Sequence, residues 1–232
     1  MATFVFVHGA FQGGWVWQKL TPYLQSQGHA VHTPTLSGCG FLADADSGKV
    51  DLTRLIQDMQ TYLELEDLRD ITLVGHSFSG LICGALMMRC PDRIRQAIFV
   101  DAVIPQTNQS FVQVAGEQFA QMLEKHHLPD GLIQPWPPMV FGIPETTVSW
   151  FQARLRPFSR ACFTTVFPEE FDPHKVPTSF ITCTETVSPF IQAMASKAEQ
   201  FSWTVSKLNT GHCPMITCPR ELSSLLLAQL PR

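Results

Sequence analysis

Short apolar, β-branched runs alternating with helix-length segments predict an α/β protein: a mostly parallel sheet covered by helices on both faces, with a small helical insertion. Three observations carry this. The run ITLV at 71–74 has the length and composition of a strand buried on both faces, and similar runs recur along the chain. Between them lie segments long enough for the crossover helices that parallel strands require. The alternation stops over 105–173, where Pro, Phe, Trp and Gln dominate, as in QPWPPMVFGIP at 134–144.

TFVFV (Thr3–Val7) is the first strand. Residues 15–26 read as a helix stopped by Gly28, and 30–33 as the second strand. An amphipathic helix spans 51–66, with the Asp51 carboxylate placed to accept from its first free N–H groups. ITLV is the third strand, and LICGALMMR at 81–89 is a buried helix that ends before Pro91. Residues 96–100, 179–183 and 203–208 are the later strands, followed by a terminal helix through Leu230. The expected organisation is one core from 1–104 and 174–232, with 105–173 inserted as a lid. A structureless loop of that length is improbable in a compact domain, so the insertion is expected to be helical. The alternative is a packing excursion without a part in ligand binding, because aromatic stripes line cores more often than pockets.

Composition excludes several function classes. At 232 residues and 26.0 kDa the chain can bury one sizeable core. A net charge of -4, a pI near 6.0 and the lack of any Lys/Arg run argue against nucleic acid and anionic membrane surfaces as partners. The start MATFVFVHGAF lacks a basic segment and a cleavable apolar one, and no apolar run nears the roughly 20 residues that span a bilayer. A soluble, cytoplasmic protein is expected. Seven scattered cysteines without a CxxC pair read as reduced, mostly buried small hydrophobes. His212, Cys213 and Cys218 cluster but offer no second close-spaced ligand pair, so no metal and no cofactor are expected. The expected partner is a small-molecule substrate. Oligomeric state is left open, a homodimer included.

The chemistry gathers at LVGHSFSG, 73–80. The pattern G-x-S-x-G puts a nucleophilic serine on a strained strand-to-helix turn, where small neighbours let the backbone bend. Here Ser77 occupies the nucleophile position, but the fifth residue is Ser79, with Gly80 directly after it. The competing reading is a serine that merely caps a helix. Two other strand ends favour the nucleophile. The first strand runs into HGAFQGGW at 8–15, a glycine-rich turn whose backbone N–H groups can hold an oxyanion, and the last runs into NTGHCPM at 209–215, which carries His212. In an open parallel sheet these ends share one edge, so Ser77, His212 and the HGA turn can converge.

Together FVFVHGAFQGGWVWQKL, QGHAVHTPTLSGCG, LVGHSFSG and TGHCPM resemble the α/β-hydrolase superfamily, and within it the methylesterase and hydroxynitrile lyase branch with its bacterial esterase relatives. The similarity runs over nearly the whole chain and is weakest in the insertion. It implies an α/β-hydrolase fold, Ser77 as nucleophile, His212 as general base and then acid, and the backbone N–H groups of Ala10 and Phe78 as oxyanion hole. The branch's lyases carry Lys after the histidine and Thr in place of Gly in the HG dipeptide. This chain has Cys213 and Gly9, which favours an esterase-like site.

One member of the machinery is missing from its usual place. The family carries its acid at the end of a segment like CTED, whereas this chain has CTET at 183–186. Thr186 cannot bear the charge that stabilises an imidazolium. Three readings follow in order: Asp101, at the end of the strand after the Ser77 helix; Glu185, reaching in by its extra methylene; and a bare Ser–His dyad. The function expected is a serine hydrolase, carboxylesterase-like, acting on a small, largely apolar ester, thioester or lactone, with Phe11, Trp136 and Phe141 in the substrate pocket. A non-hydrolytic relative, whether tailoring cyclase, lyase or ligand receptor, is the alternative that the missing aspartate raises.

Overall fold

The computed structural model describes residues 1–230. Strand β1 (Thr3–Val7) leads through a 3-10 turn to α1 (Thr21–Gln25), β2 (Ala30–His32), α2 (Leu52–Leu65), β3 (Ile71–His76), α3 (Gly80–Arg89) and β4 (Ile94–Val100). The insertion follows with α4 (Phe111–Ala115), α5 (Glu117–Lys125), β5 (Leu132–Ile133), α6 (Glu145–Gln152), β6 (Phe158–Ser159) and α7 (Arg160–Thr164). The core then resumes with β7 (Thr178–Cys183), α8 (Pro189–Gln200), β8 (Thr204–Leu208), α9 (Pro214–Thr217) and α10 (Pro219–Ala228).

Six strands form one sheet in the order β2-β1-β3-β4-β7-β8, with every pairing parallel. Strand β3 is buried along its whole length and β4 nearly so, which is why their sequences read as continuous apolar runs and not as alternation. Helix α2 buries Leu52, Leu55, Ile56, Met59 and Leu63 at helical spacing, and Asp51 caps it by accepting the Arg54 N–H at 2.8 Å. Helix α3 is apolar nearly all round and lies buried, as a helix sandwiched between sheet and insertion must.

The helix expected over 15–26 is broken. A 3-10 turn (Gly14–Trp17) and the five-residue α1 replace it, with Pro22 in the first turn of α1. Proline is tolerated there but cannot donate a bond back into a preceding helix, so one continuous helix cannot pass through it. Gly14 also abuts the second strand so closely that a Cβ would lie 2.0 Å from the Thr33 carbonyl oxygen. The insertion is not purely helical either: β5 and β6 pair as a two-stranded antiparallel ribbon, with Leu132 opposite Ser159. Among the described residues no helix is long and apolar enough to cross a membrane.

Chain order and strand order together define where a ligand sits. From β1 the chain moves outward to β2, then returns to the other side of β1 for β3, β4, β7 and β8. Such a reversal opens a crevice beyond the carboxyl ends of the strands. The segments leaving β1, β3, β4, β7 and β8 carry the HGA turn, Ser77, Asp101, Thr186 and His212 to that edge.

Candidate active site

The end of β3 turns sharply at Ser77, whose φ of 58° lies in the left-handed region. Asp101 after β4 (φ 47°) and Phe11 after β1 (φ 68°) share this strained conformation, so three strand ends carry backbone strain at one edge. Two glycines make the Ser77 turn possible. A Cβ at Gly75 would meet Cys83 Sγ at 2.6 Å, and one at Gly80 would meet the Val103 carbonyl oxygen at 1.9 Å. Gly80 thus provides the close approach of helix and strand one residue later than the G-x-S-x-G pattern expects. Ser79, in the glycine's usual position, is buried and donates its hydroxyl to the His8 carbonyl oxygen, tying the turn to the end of β1.

His212, 7 % exposed, bridges the other two groups. Its Nδ1–H donates to Asp101 Oδ2 at 2.7 Å, and its Nε2 accepts from the Ser77 hydroxyl at 2.8 Å. Asp101 is fully buried, and its Oδ1 accepts the Cys183 N–H at 3.0 Å. Thr186 donates to Oδ2 as well. A buried carboxylate needs such partners, because an unpaired charge in this setting is costly. The arrangement fixes the imidazole tautomer with its basic nitrogen toward the serine.

Glu185, the second candidate acid, does not reach the histidine. It is exposed, and its backbone N–H donates to the Thr210 carbonyl oxygen at 3.0 Å. The peptide turn after β7 aims Thr186 inward and its neighbour outward, so an added methylene cannot recover the direction. The bare dyad is likewise not what the chain builds, since Nδ1 has a carboxylate acceptor.

A cavity of about 630 Å³ opens over Ser77 and His212. Ala10 and Phe78 line it beside the serine, and so do Phe11, Trp136 and Phe141. Phe11 meets Trp136 edge to face at 4.9 Å and Phe141 at 6.5 Å. These three side chains are also buried among the core residues, so they line the cavity and pack the core at once. Among the described residues, those lining the cavity include no Lys, Arg, Asp or Glu. The insertion seats directly on the histidine loop: the α-carbons of Gly142 and Gly211 approach so closely that a Cβ on Gly142 would stand 2.6 Å from the Gly211 Cα.

Three further buried polar residues support the site. Buried Gln12 accepts the Gly9 N–H at 3.2 Å and donates to Cys213 Sγ at 3.5 Å, joining the HGA turn to the residue after His212. His76, fully buried, donates Nε2–H to the His212 carbonyl oxygen at 2.7 Å. His8 donates Nδ1–H to the Gly9 carbonyl oxygen and accepts the Leu36 N–H at 3.1 Å. Each is a polar residue beside a glycine or serine of a motif, but burial, the decisive signal, is not written in one sequence.

Burial holds both histidines neutral: the His8 pKa falls to about 4, and that of His76 lies well below the usual value of 6.5. Unfolded, each takes up a proton near pH 6.5, so the unfolded state binds more protons between there and about 4. Stability is therefore full above pH 6.5 and is lost as the pH falls toward about 4, by on the order of 3 kcal/mol for His8 alone. Urea midpoints measured across this range should decline with pH. A flat profile would mean that neither histidine is buried neutral.

The cysteines are free thiols, and burial pushes Cys39 up to about 12 and Cys213 higher still, so neither supplies a thiolate nucleophile. Among the described residues no group of three His, Cys, Asp or Glu is placed to hold a metal ion.

Residues 4–225 match the alpha/beta hydrolase family. The chain belongs to that family. This α/β-hydrolase is 30% identical to a carbendazim hydrolyzing esterase of Nocardioides sp. (strain SG-4G), over 98% of this chain and 99% of the relative. It is 36% identical to methylesterase 2 of Arabidopsis thaliana over 52% of this chain and 46% of that protein. An extracellular alpha/beta-hydrolase from a Paenibacillus species superimposes with a TM-score of 0.87 at 21% identity, covering 98% of each chain. Tomato methylketone synthase I shares the fold as well, with a TM-score of 0.77 at 21% identity over 98% of this chain and 96% of that one. The chain is thus a hydrolase of the alpha/beta hydrolase family, similar to an esterase of Nocardioides and to a methylesterase of Arabidopsis.

Proposed function

We propose that this α/β-hydrolase cleaves small, uncharged, largely apolar esters through an acyl-enzyme on Ser77, with His212 as general base and Asp101 as the acid of the triad. The continuous hydrogen-bond chain from Ser77 through His212 to Asp101 is the observation that carries the reading. His212 takes the Ser77 proton through Nε2 as Oγ attacks the ester carbonyl. The backbone N–H groups of Ala10 and Phe78, beside the nucleophile in the same cavity, receive the developing oxyanion. Collapse of the tetrahedral intermediate breaks the C–O bond, and the alcohol leaves with the proton from His212. Water, deprotonated by the same nitrogen, then attacks the acyl-enzyme and releases the acid. Asp101 holds the imidazole in place and stabilises its cationic form.

The uncharged lining supports a neutral substrate, and the aromatic walls support an apolar acyl or aryl group. The Asp101–His212 contact supports the hydrolytic reading over a non-hydrolytic one. Seven free thiols support a reducing compartment such as the cytoplasm. A series of p-nitrophenyl esters with a pre-steady-state burst tests the reading. A burst of one equivalent per chain supports an acyl-enzyme, and no turnover of any ester contradicts it.

The aromatic wall yields its own expectation. Trimming Trp136 or Phe141 to Ala should shift acyl-length preference toward longer chains, changing relative kcat/KM by roughly tenfold, the scale of one to two methylenes in an apolar pocket. An equal loss on all substrates with a lowered Tm would make these residues structural only.

A further inference from the structure

Thr186 stands where the family resemblance places a carboxylate, and its contacts give it a specific task. Its hydroxyl is buried and donates to Asp101 Oδ2, the same oxygen that receives His212 Nδ1–H. The other oxygen, Oδ1, accepts the Cys183 N–H at 3.0 Å. Both donors besides the histidine come from β7 and the turn after it, not from the strand that bears Asp101. Thr186 is itself held at both ends of its backbone. Its N–H donates to the Cys183 carbonyl oxygen at 3.2 Å, and its carbonyl accepts Gln192 Nε2 from α8 at 2.6 Å.

A carboxylate on a single methylene can rotate about its last torsion. Three donors converging from different directions remove that freedom and set the plane in which Oδ2 faces the imidazole. We propose that Thr186 is a positioning residue that orients Asp101 against His212. The proposal rests on the reading of Asp101 as the triad acid.

Turnover of a p-nitrophenyl ester by the full-length chain tests this, with Tm measured for each variant. Thr186→Val should lower kcat about tenfold with KM within about twofold, the scale of one hydrogen bond to a charged group, and Thr186→Ser should recover nearly all of it. Thr186→Val with unchanged kcat, or with a loss in KM alone that serine does not repair, overturns the positioning role. Full activity in Asp101→Asn alone is the distinct result that removes Asp101 as the acid, since that variant leaves Thr186 untouched.

Discussion

Asp101→Asn is expected to lower kcat on the order of 10⁴-fold, the loss seen when a triad aspartate becomes an amide in a serine protease, while the fold and KM stay nearly unchanged. The amide is isosteric with the carboxylate, so it fits the same buried position. It lacks the charge that stabilises the imidazolium, and its NH2 can present a donor to Nδ1, which favours the tautomer with its proton facing Ser77. Glu185→Gln should leave kcat within about twofold, since an exposed side chain outside the hydrogen-bond chain contributes little. Steady-state kinetics on one ester with both variants decides between the two carboxylates. A large loss in Glu185→Gln with none in Asp101→Asn would reverse the assignment.

Ser77→Ala and His212→Ala should each remove on the order of 10⁶ of kcat, and the double variant should be little worse than either, because nucleophile and base act as one unit. What survives is the contribution of the oxyanion donors and of binding. Additive losses, each multiplying the other, would mean that the two side chains serve separate steps. The measurement needs protein free of wild-type traces, since contamination of one part in 10⁶ would mimic the residual rate.

Much of this architecture is legible in the sequence, for physical reasons that differ by element. The apolar run at β3 and the capped amphipathic α2 announce themselves because burial on two faces and on one face leave different periodicities. Ser77 and His212 are visible because both terminate strands of a parallel sheet, and all such ends share an edge. Asp101 is less so. Its sequence neighbourhood, DAVIP, says only that a strand has ended, and whether its carboxylate turns toward the histidine depends on a φ of 47° and on donors from β7 more than eighty residues away. Glu185 illustrates the converse, since adjacency to the family's acid position carries no information about which way a side chain points. The broken helix at 15–26 fails for a local reason: the glycine-rich turn and Pro22 outweigh its apolar spacing. In the insertion, the β5–β6 ribbon is two residues per strand, too short for any period to register.

Labelling with a fluorophosphonate, followed by mass spectrometry of the peptides, tests directly whether Ser77 is an activated nucleophile. The reagent reacts with a serine whose hydroxyl is deprotonated by a neighbouring base and whose phosphonyl oxygen finds oxyanion donors. The predicted result is rapid, stoichiometric modification of the peptide containing Ser77, abolished in Ser77→Ala and slowed by orders of magnitude in His212→Ala. A chain that stays unmodified, or that labels at another residue at the same rate in Ser77→Ala, would contradict it.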